Sequence, residues 1–270
     1  MLSPADAAPI LVSVVVPVRA RQTADVEGLG RCLAALARQR MAGMGYEVVV
    51  VDNGSTVDPT PAVRRWPRIT LARISTAGSY AARNHGLRIA RGRVLAFTDA
   101  DCVPDADWLP RAVARLDSDP RLAAVAGVVD VPVTSQSGPV ALYDALTAFP
   151  QRRFVERFGF GATANLVVHR GVLDTVGAFD PQLTSGGDAE WGARATAAGY
   201  RIGYAPDARV CHPPRTTVRA VVIKALRTTR GAEQLAALRG EAEPLHTAVL
   251  DRLGRPWREL PALLRDPRIP

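Results

Sequence analysis

The chain predicts an α/β fold: one continuous mixed sheet flanked by helices, with a helical tail behind it. Three observations carry this. Short β-branched runs alternate with segments of helical periodicity between residues 10 and 97, polar residues collect just after those runs, and a basic helical stretch follows His212. Strand, helix, strand, helix in succession implies parallel pairing with right-handed crossovers, and ligands of such sheets sit at the carboxyl ends of the strands.

The elements follow in order. Apolar runs at 11–18, 47–51, 69–74 and 94–97 are bounded by turn residues, as buried strands should be. Between them, residues 26–40, 58–65 and 78–91 carry apolar side chains at three- and four-residue spacing and read as helices. A strand at 122–131 leads into a Ser, Thr, Gly and Pro-rich loop at 132–139, a helix near 140–149 and a strand at 161–169. A glycine turn then opens a helix over 186–199, and 201–204 and 208–211 read as two short strands. A last helix spans 216–239. On it Val218, Val221, Val222, Ala225, Thr229, Ala232 and Ala236 form an apolar stripe expected to dock on the core, while Arg215, Arg219, Arg227 and Arg230 gather on another face. The division expected is a domain over 10–212 and a helical extension over 213–270.

Composition narrows the class. The 270 residues are 47% hydrophobic and 22% charged, which excludes disordered and collagen-like chains. Lys224 is the one lysine among 34 basic residues, as in a GC-rich coding sequence, and 34 basic against 26 acidic residues give a net charge of +8. Such a surface favours polyanions: nucleic acid, nucleoside diphosphates or an anionic membrane face. Cys32, Cys102 and Cys211 are too few for a disulfide framework and lack zinc-finger spacing, and residues 1–9 lack a signal-peptide pattern. The location expected is cytoplasmic, at the inner face of the membrane if the basic tail helix makes peripheral contact.

Chemistry concentrates after the strands. Pro17-Val18-Arg19 follows the first, Asp52-Asn53-Gly54-Ser55 the second and Thr98-Asp99-Ala100-Asp101 the fourth. Neither the G-x-G-x-x-G fingerprint nor the P-loop is present, so phosphate must be held another way. Asp99-x-Asp101 suits it, because hard divalent cations such as Mg²⁺ and Mn²⁺ prefer carboxylate oxygens and share them with substrate phosphates.

Five ordered blocks, at 13–20, 47–58, 81–109, 161–180 and 186–212, give the chain a resemblance to family 2 glycosyltransferases of the GT-A fold. The resemblance implies a single Rossmann-like mixed sheet and a nucleoside-diphosphate sugar donor, a UDP-sugar first among them. It also implies Mn²⁺ or Mg²⁺ as cofactor and an inverting transfer to a hydroxyl acceptor. That acceptor is a lipid-linked or cell-envelope glycan in bacteria, or a small natural product.

Residue by residue, Pro17, Val18, Arg19 and Asp52 resemble the residues that frame the nucleobase, with the cap of an Asx-turn as the plainer and less favoured alternative for Asp52. Arg83 and Asn84 resemble helix residues facing the nucleotide, with a solvated helix face as the alternative for Arg83. Asp99, Ala100 and Asp101 resemble the donor-binding D-x-D, with Asp101 and Asp99 as metal ligands. His212 resembles a histidine that completes the coordination in some members. The family's Glu-Asp-x-Asp appears as Gly187-Asp188-Ala189-Glu190. Asp188 takes the base position, Glu190 is the fallback, and Asp188 as a simple N-cap is the plainer alternative. Two other classes were weighed. A nucleotidyltransferase would normally carry a glycine-rich loop at Val18-Arg19-Ala20-Arg21, and a nucleic-acid-binding protein would show a recognisable motif, so nucleic acid is the least expected partner.

Overall fold

A computed structural model describes residues 10–240. Strands β1 (Ile10–Val18), β2 (Gly45–Asp52), β3 (Ile69–Arg73), β4 (Val94–Thr98), β5 (Val103–Pro104), β6 (Leu122–Asp130), β7 (Asn165–His169) and β8 (Arg201–Cys211) form one sheet. Their order is β3-β2-β1-β4-β7-β6-β8-β5. The half built from β1 to β4 is parallel throughout, as the alternating pattern requires. The other half turns mixed, because β7 runs antiparallel to both β4 and β6 while β6 and β8 are parallel. The single mixed sheet is therefore as expected.

Helices α1 (Thr23–Leu36), α2 (Thr60–Val63), α3 (Ser79–Ile89), α4 (Trp108–Asp117), α5 (Pro139–Thr147), α6 (Gln151–Phe158), α7 (Arg170–Val176), α8 (Gly187–Ala197) and α9 (Val218–Arg239) accompany the sheet. Two apolar layers cover its faces. One includes Val14, Val16, Leu33, Trp108 and Val125, and the other Val15, Phe97, Leu166, Phe179 and Trp191. Alternate residues of β1 enter opposite layers, which is why its run is apolar on both faces but for Ser13, whose hydroxyl donates to Glu47.

Several predicted elements change. The runs at 201–204 and 208–211 are one strand: Ala205 pairs with Gly127 and Arg209 with Val128, so Pro206, Asp207 and Ala208 bulge out without ending the pairing. The strand expected at 161–169 begins only at Asn165, because the side chain of Gln151 engages Ala162 N–H, Ala162 C=O and Asn165 C=O and holds that stretch as a turn. Helices α4, α6 and α7 lie outside the helices that periodicity predicts, and α6 falls between the helix expected near 140–149 and the strand expected at 161–169.

The largest correction concerns α9. Of its predicted docking stripe only Thr229 is buried, whereas Val218, Val222 and Ala225 are exposed. Polar tethers hold the helix instead. Asp144 of α5, 1% exposed, accepts hydrogen bonds from Arg215 N–H, the Arg215 guanidinium and Lys224 Nζ. Burial pushes this carboxyl up, but the two cations and their hydrogen bonds outweigh it and hold it below the ordinary range. Arg215 thus leaves the solvated basic face to which the sequence assigned it. The part of the predicted extension at 241–270 lies outside the described residues.

Further along, Gln234 Oε1 accepts from Thr184 N–H at 2.9 Å, and Gly231 abuts Ser185 so closely that a Cβ would lie 2.4 Å from the Ser185 carbonyl oxygen. Alanine is the better helix former by about 1 kcal/mol, but overpacking against backbone costs about 1–3 kcal/mol. Gly231→Ala should therefore lower the melting temperature in a thermal melt, where propensity alone would raise it.

Candidate active site

The polar ends of β1, β2 and β4 come together as their register dictates, Val18 pairing with Asp52 and Val15 with Phe97. Asp52 is buried. Its Oδ1 accepts from Ser55 N–H at 2.9 Å, the Asx-turn arrangement, and its Oδ2 lies 3.5 Å from Arg73 Nε. Pro17 is partly buried, Val18 buried and Arg19 exposed at this edge.

Arg83 is not on a solvated helix face. It is 3% exposed, and its Nη2 donates to Asp99 Oδ1 at 2.6 Å. Its Nε is buried with no partner among the described residues. The adjacent Asn84 uses its whole amide on Phe179, donating to the carbonyl at 2.6 Å and accepting from the N–H at 3.1 Å. It thereby pins the segment leading to α8 onto α3.

Beyond β4, Ala100 packs against the apolar layer while Asp99, Asp101 and Cys102 place ligand atoms within 4.8 Å of one another. His212, 5% exposed, follows β8, and its Nε2 lies 3.5 Å from Asp101 Oδ2. Its Nδ1 is 2.7 Å from the Pro213 carbonyl, which can only accept, so Nδ1 is assigned as the donor to it and Nε2 is the nitrogen that faces the carboxylate. Phe149 covers the ring, with centroids 4.9 Å apart. Desolvation pushes the Asp101 carboxyl up; His212 opposes this and the like charge of Asp99 adds to it.

An imidazole nitrogen and a carboxylate facing each other beside a second carboxylate fit a hard divalent cation, with Asp101, His212 and Asp99 as the residues that would hold it. Cys102 is a poor match for a hard cation because its sulfur is a soft ligand, and burial, followed by the two aspartates, pushes its thiol well up. Cys211 pairs with Val103 at the sheet edge.

At the opening of α8, Gly186 at φ +81° is the N-cap, so Asp188 lies within the first turn and is not itself the cap. Its Oδ1 accepts from Ala189 N–H at 3.1 Å and from the Tyr80 hydroxyl at 3.4 Å, and its Oδ2 from Thr163 N–H at 3.3 Å. A helix N-terminus favours a carboxylate, yet desolvation wins here and pushes Asp188 up, with Arg83 the leading opposing charge. Glu190 is engaged differently: Arg194 Nε reaches Oε1 at 2.6 Å and Nη2 reaches Oε2 at 2.8 Å. Arg194 also donates to the carbonyls of Val176 and Ala178, so this pair locks α8 to the preceding turn.

Sequence reasoning passed over Tyr80 and Thr163. Tyr80 left a signal as the large aromatic in an otherwise small-residue turn of α3, three residues before Arg83. Thr163 contributes only a backbone N–H and left none.

The family model for glycosyl transferase family 2 matches residues 13–176. The chain belongs to this family. Among similar proteins, the glycosyltransferase AglE of Haloferax volcanii is 35% identical over 209 residues, 76% of this chain and 67% of that protein. The pre-mycofactocin glycosyltransferase of Mycobacterium tuberculosis is 32% identical over 218 residues, so this chain aligns over 77% of its length but spans only 44% of that relative. Among solved structures, the mannosyltransferase PcManGT from Pyrobaculum calidifontis, in complex with GDP-Man and Mn²⁺, superposes with a TM-score of 0.65. It shares 26% identity and covers 96% of this chain and 76% of its own. The S. aureus TarS 1–349 complex with UDP-GlcNAc, at 19% identity and TM-score 0.58, covers 84% of this chain and 72% of its own and shares the GT-A fold.

Proposed function

We propose that the protein is an inverting, cation-dependent transferase that moves a sugar from a nucleoside diphosphate to a hydroxyl acceptor. The observation that carries this reading is the presence of two unlike acidic centres near Arg83: Asp99, to which it donates at 2.6 Å, beside Asp101 and His212, and Asp188, held at the opening of α8 by Thr163, Ala189 and Tyr80. Asp101, His212 and Asp99 would hold the cation, which when bound offsets charge on the departing diphosphate. Asp188 takes the acceptor proton as the acceptor oxygen bonds to C1 and the C1–phosphate bond breaks, releasing the nucleoside diphosphate with inverted configuration at C1. Glu190 is a weaker candidate for base because Arg194 occupies both its oxygens. Pro17, Val18, Arg19 and Asp52 line the strand ends where the nucleobase would lie, and Arg83 retains an unused Nε donor beside Asp99.

A UDP-sugar is the donor first expected, and GDP-mannose, carried by the Pyrobaculum neighbour, is its direct rival. A thermal-shift panel of UDP, GDP and their sugars, with and without Mn²⁺, tests both. Stabilisation by one nucleotide that requires Mn²⁺ supports the reading, and no metal-dependent shift with any of them rejects it.

The acceptor in this reading is lipid-linked, met at an anionic membrane surface. Among the described residues no helix is long and apolar enough to cross a membrane, so contact would be peripheral. On α9 Val218, Val222, Ile223 and Leu226 are 66%, 49%, 54% and 60% exposed, interleaved with exposed Arg219, Arg227 and Arg230. Apolar insertion and anionic headgroups then act on one face. Flotation with phosphatidylglycerol vesicles should recover the protein, whereas phosphatidylcholine vesicles or Leu226→Glu should not. Equal recovery with both lipids would remove the electrostatic argument.

A further inference from the structure

We propose that Tyr80 is the positioning residue of Asp188, its buried hydroxyl holding the carboxylate so that Oδ2 presents its open lone pair to the acceptor. This rests on the reading of Asp188 as base. The Tyr80 oxygen accepts from Gly187 N–H at 2.9 Å, which leaves its own proton for Asp188 Oδ1 at 3.4 Å. Oδ1 already accepts from Ala189 N–H, so both of its lone pairs are engaged. Oδ2 accepts only from Thr163 N–H among the described residues and keeps one lone pair for a proton.

The ring itself is fixed. It is 5% exposed, lies 5.8 Å from the Phe179 ring and carries the Arg83 guanidinium 5.6 Å from its centroid. A Cβ at residue 187 would stand 2.8 Å from Cε2 and Cζ of this ring. The glycine before Asp188 is therefore a space requirement of Tyr80: the side chain missing from α8 is replaced by an aromatic supplied from α3. In place of a neighbouring carboxylate, which would repel Asp188, the base receives a neutral donor. The charged group facing it from α3 is Arg83, and Glu190 on its own helix is neutralised by Arg194.

Tyr80→Phe keeps the ring and removes only the hydroxyl. Protein labelled with ¹³Cγ-aspartate allows the Asp188 carboxyl to be titrated without any ligand, its resonance identified by its disappearance in Asp188→Asn. Loss of a donor to the charged form should move this titration to higher pH in Tyr80→Phe. Turnover of GDP-mannose or UDP-N-acetylglucosamine, whichever the Mn²⁺ panel selects, should drop about tenfold in kcat with donor KM unchanged, the loss of one charge-assisted hydrogen bond. An unmoved Asp188 titration in folded Tyr80→Phe overturns the inference whatever the turnover. Full transfer by Asp188→Asn would instead overturn the base reading, and the titration would still report the contact.

Discussion

Asp188→Asn is expected to reduce transfer by about 10²- to 10⁴-fold, the contribution of a positioned general base, while leaving donor affinity measured by calorimetry unchanged. The substitution keeps the shape of a side chain whose contacts are to Ala189, Thr163 and Tyr80, none of them on the β1, β2 or β4 ends. Loss of donor binding along with transfer would move Asp188 from the acceptor side to the donor side. The wild-type pH profile supplies the sign. A base acts ionised, and burial raises the Asp188 carboxyl, so kcat should fall with decreasing pH at a value above the ordinary aspartate range. Stability runs the opposite way: the folded pKa exceeds the unfolded one, so Asp188 lowers stability as pH rises between the two.

The second large effect is on donor binding. Asp101→Ala combined with His212→Ala should abolish the Mn²⁺-dependent thermal shift. At a donor concentration of about 100 Kd, binding contributes about 2.7 kcal/mol, or about 5–10 °C for a domain of this size. A double variant that kept the full metal-dependent shift would place the cation elsewhere. His212→Ala alone leaves Asp101 and Asp99, and a partial shift there would measure the imidazole's share. Cys102→Ser should leave the shift intact, because a hard cation takes carboxylate oxygens in preference to a soft sulfur.

Much of this site was legible before any coordinates, and for identifiable reasons. Each of β1, β2 and β4 announces itself by a largely apolar run, since burial on both faces removes alternation. Asp99 and Asp101 stood out through their position one and three residues past the end of β4. Where local pattern and tertiary packing disagreed, packing prevailed. The α9 stripe has the period of a docked helix, yet Asp144, Gln234 and the Gly231 contact with Ser185 hold that helix, and its apolar face remains open. Helix α6, with its polar Gln-Arg-Arg start, gave no apolar run to read, and it is anchored by the buried Gln151 side chain.

By itself the sequence determined the α/β class, the parallel half of the sheet and the identity of the acidic residues, because these depend on local periodicity and on residue chemistry. Only the tertiary structure decided the relations among those residues. His212 meets Asp101 because β8 pairs with β5 and β6 at that edge, and Arg83 turns inward because Asp99 accepts it at the end of β4. Tyr80 and Asp188 stand 108 positions apart, and their contact exists only because Asn84 pins Phe179 onto α3 and brings the opening of α8 against it. Side-chain periodicity reports which face an element buries, but it carries no information about which distant element covers that face.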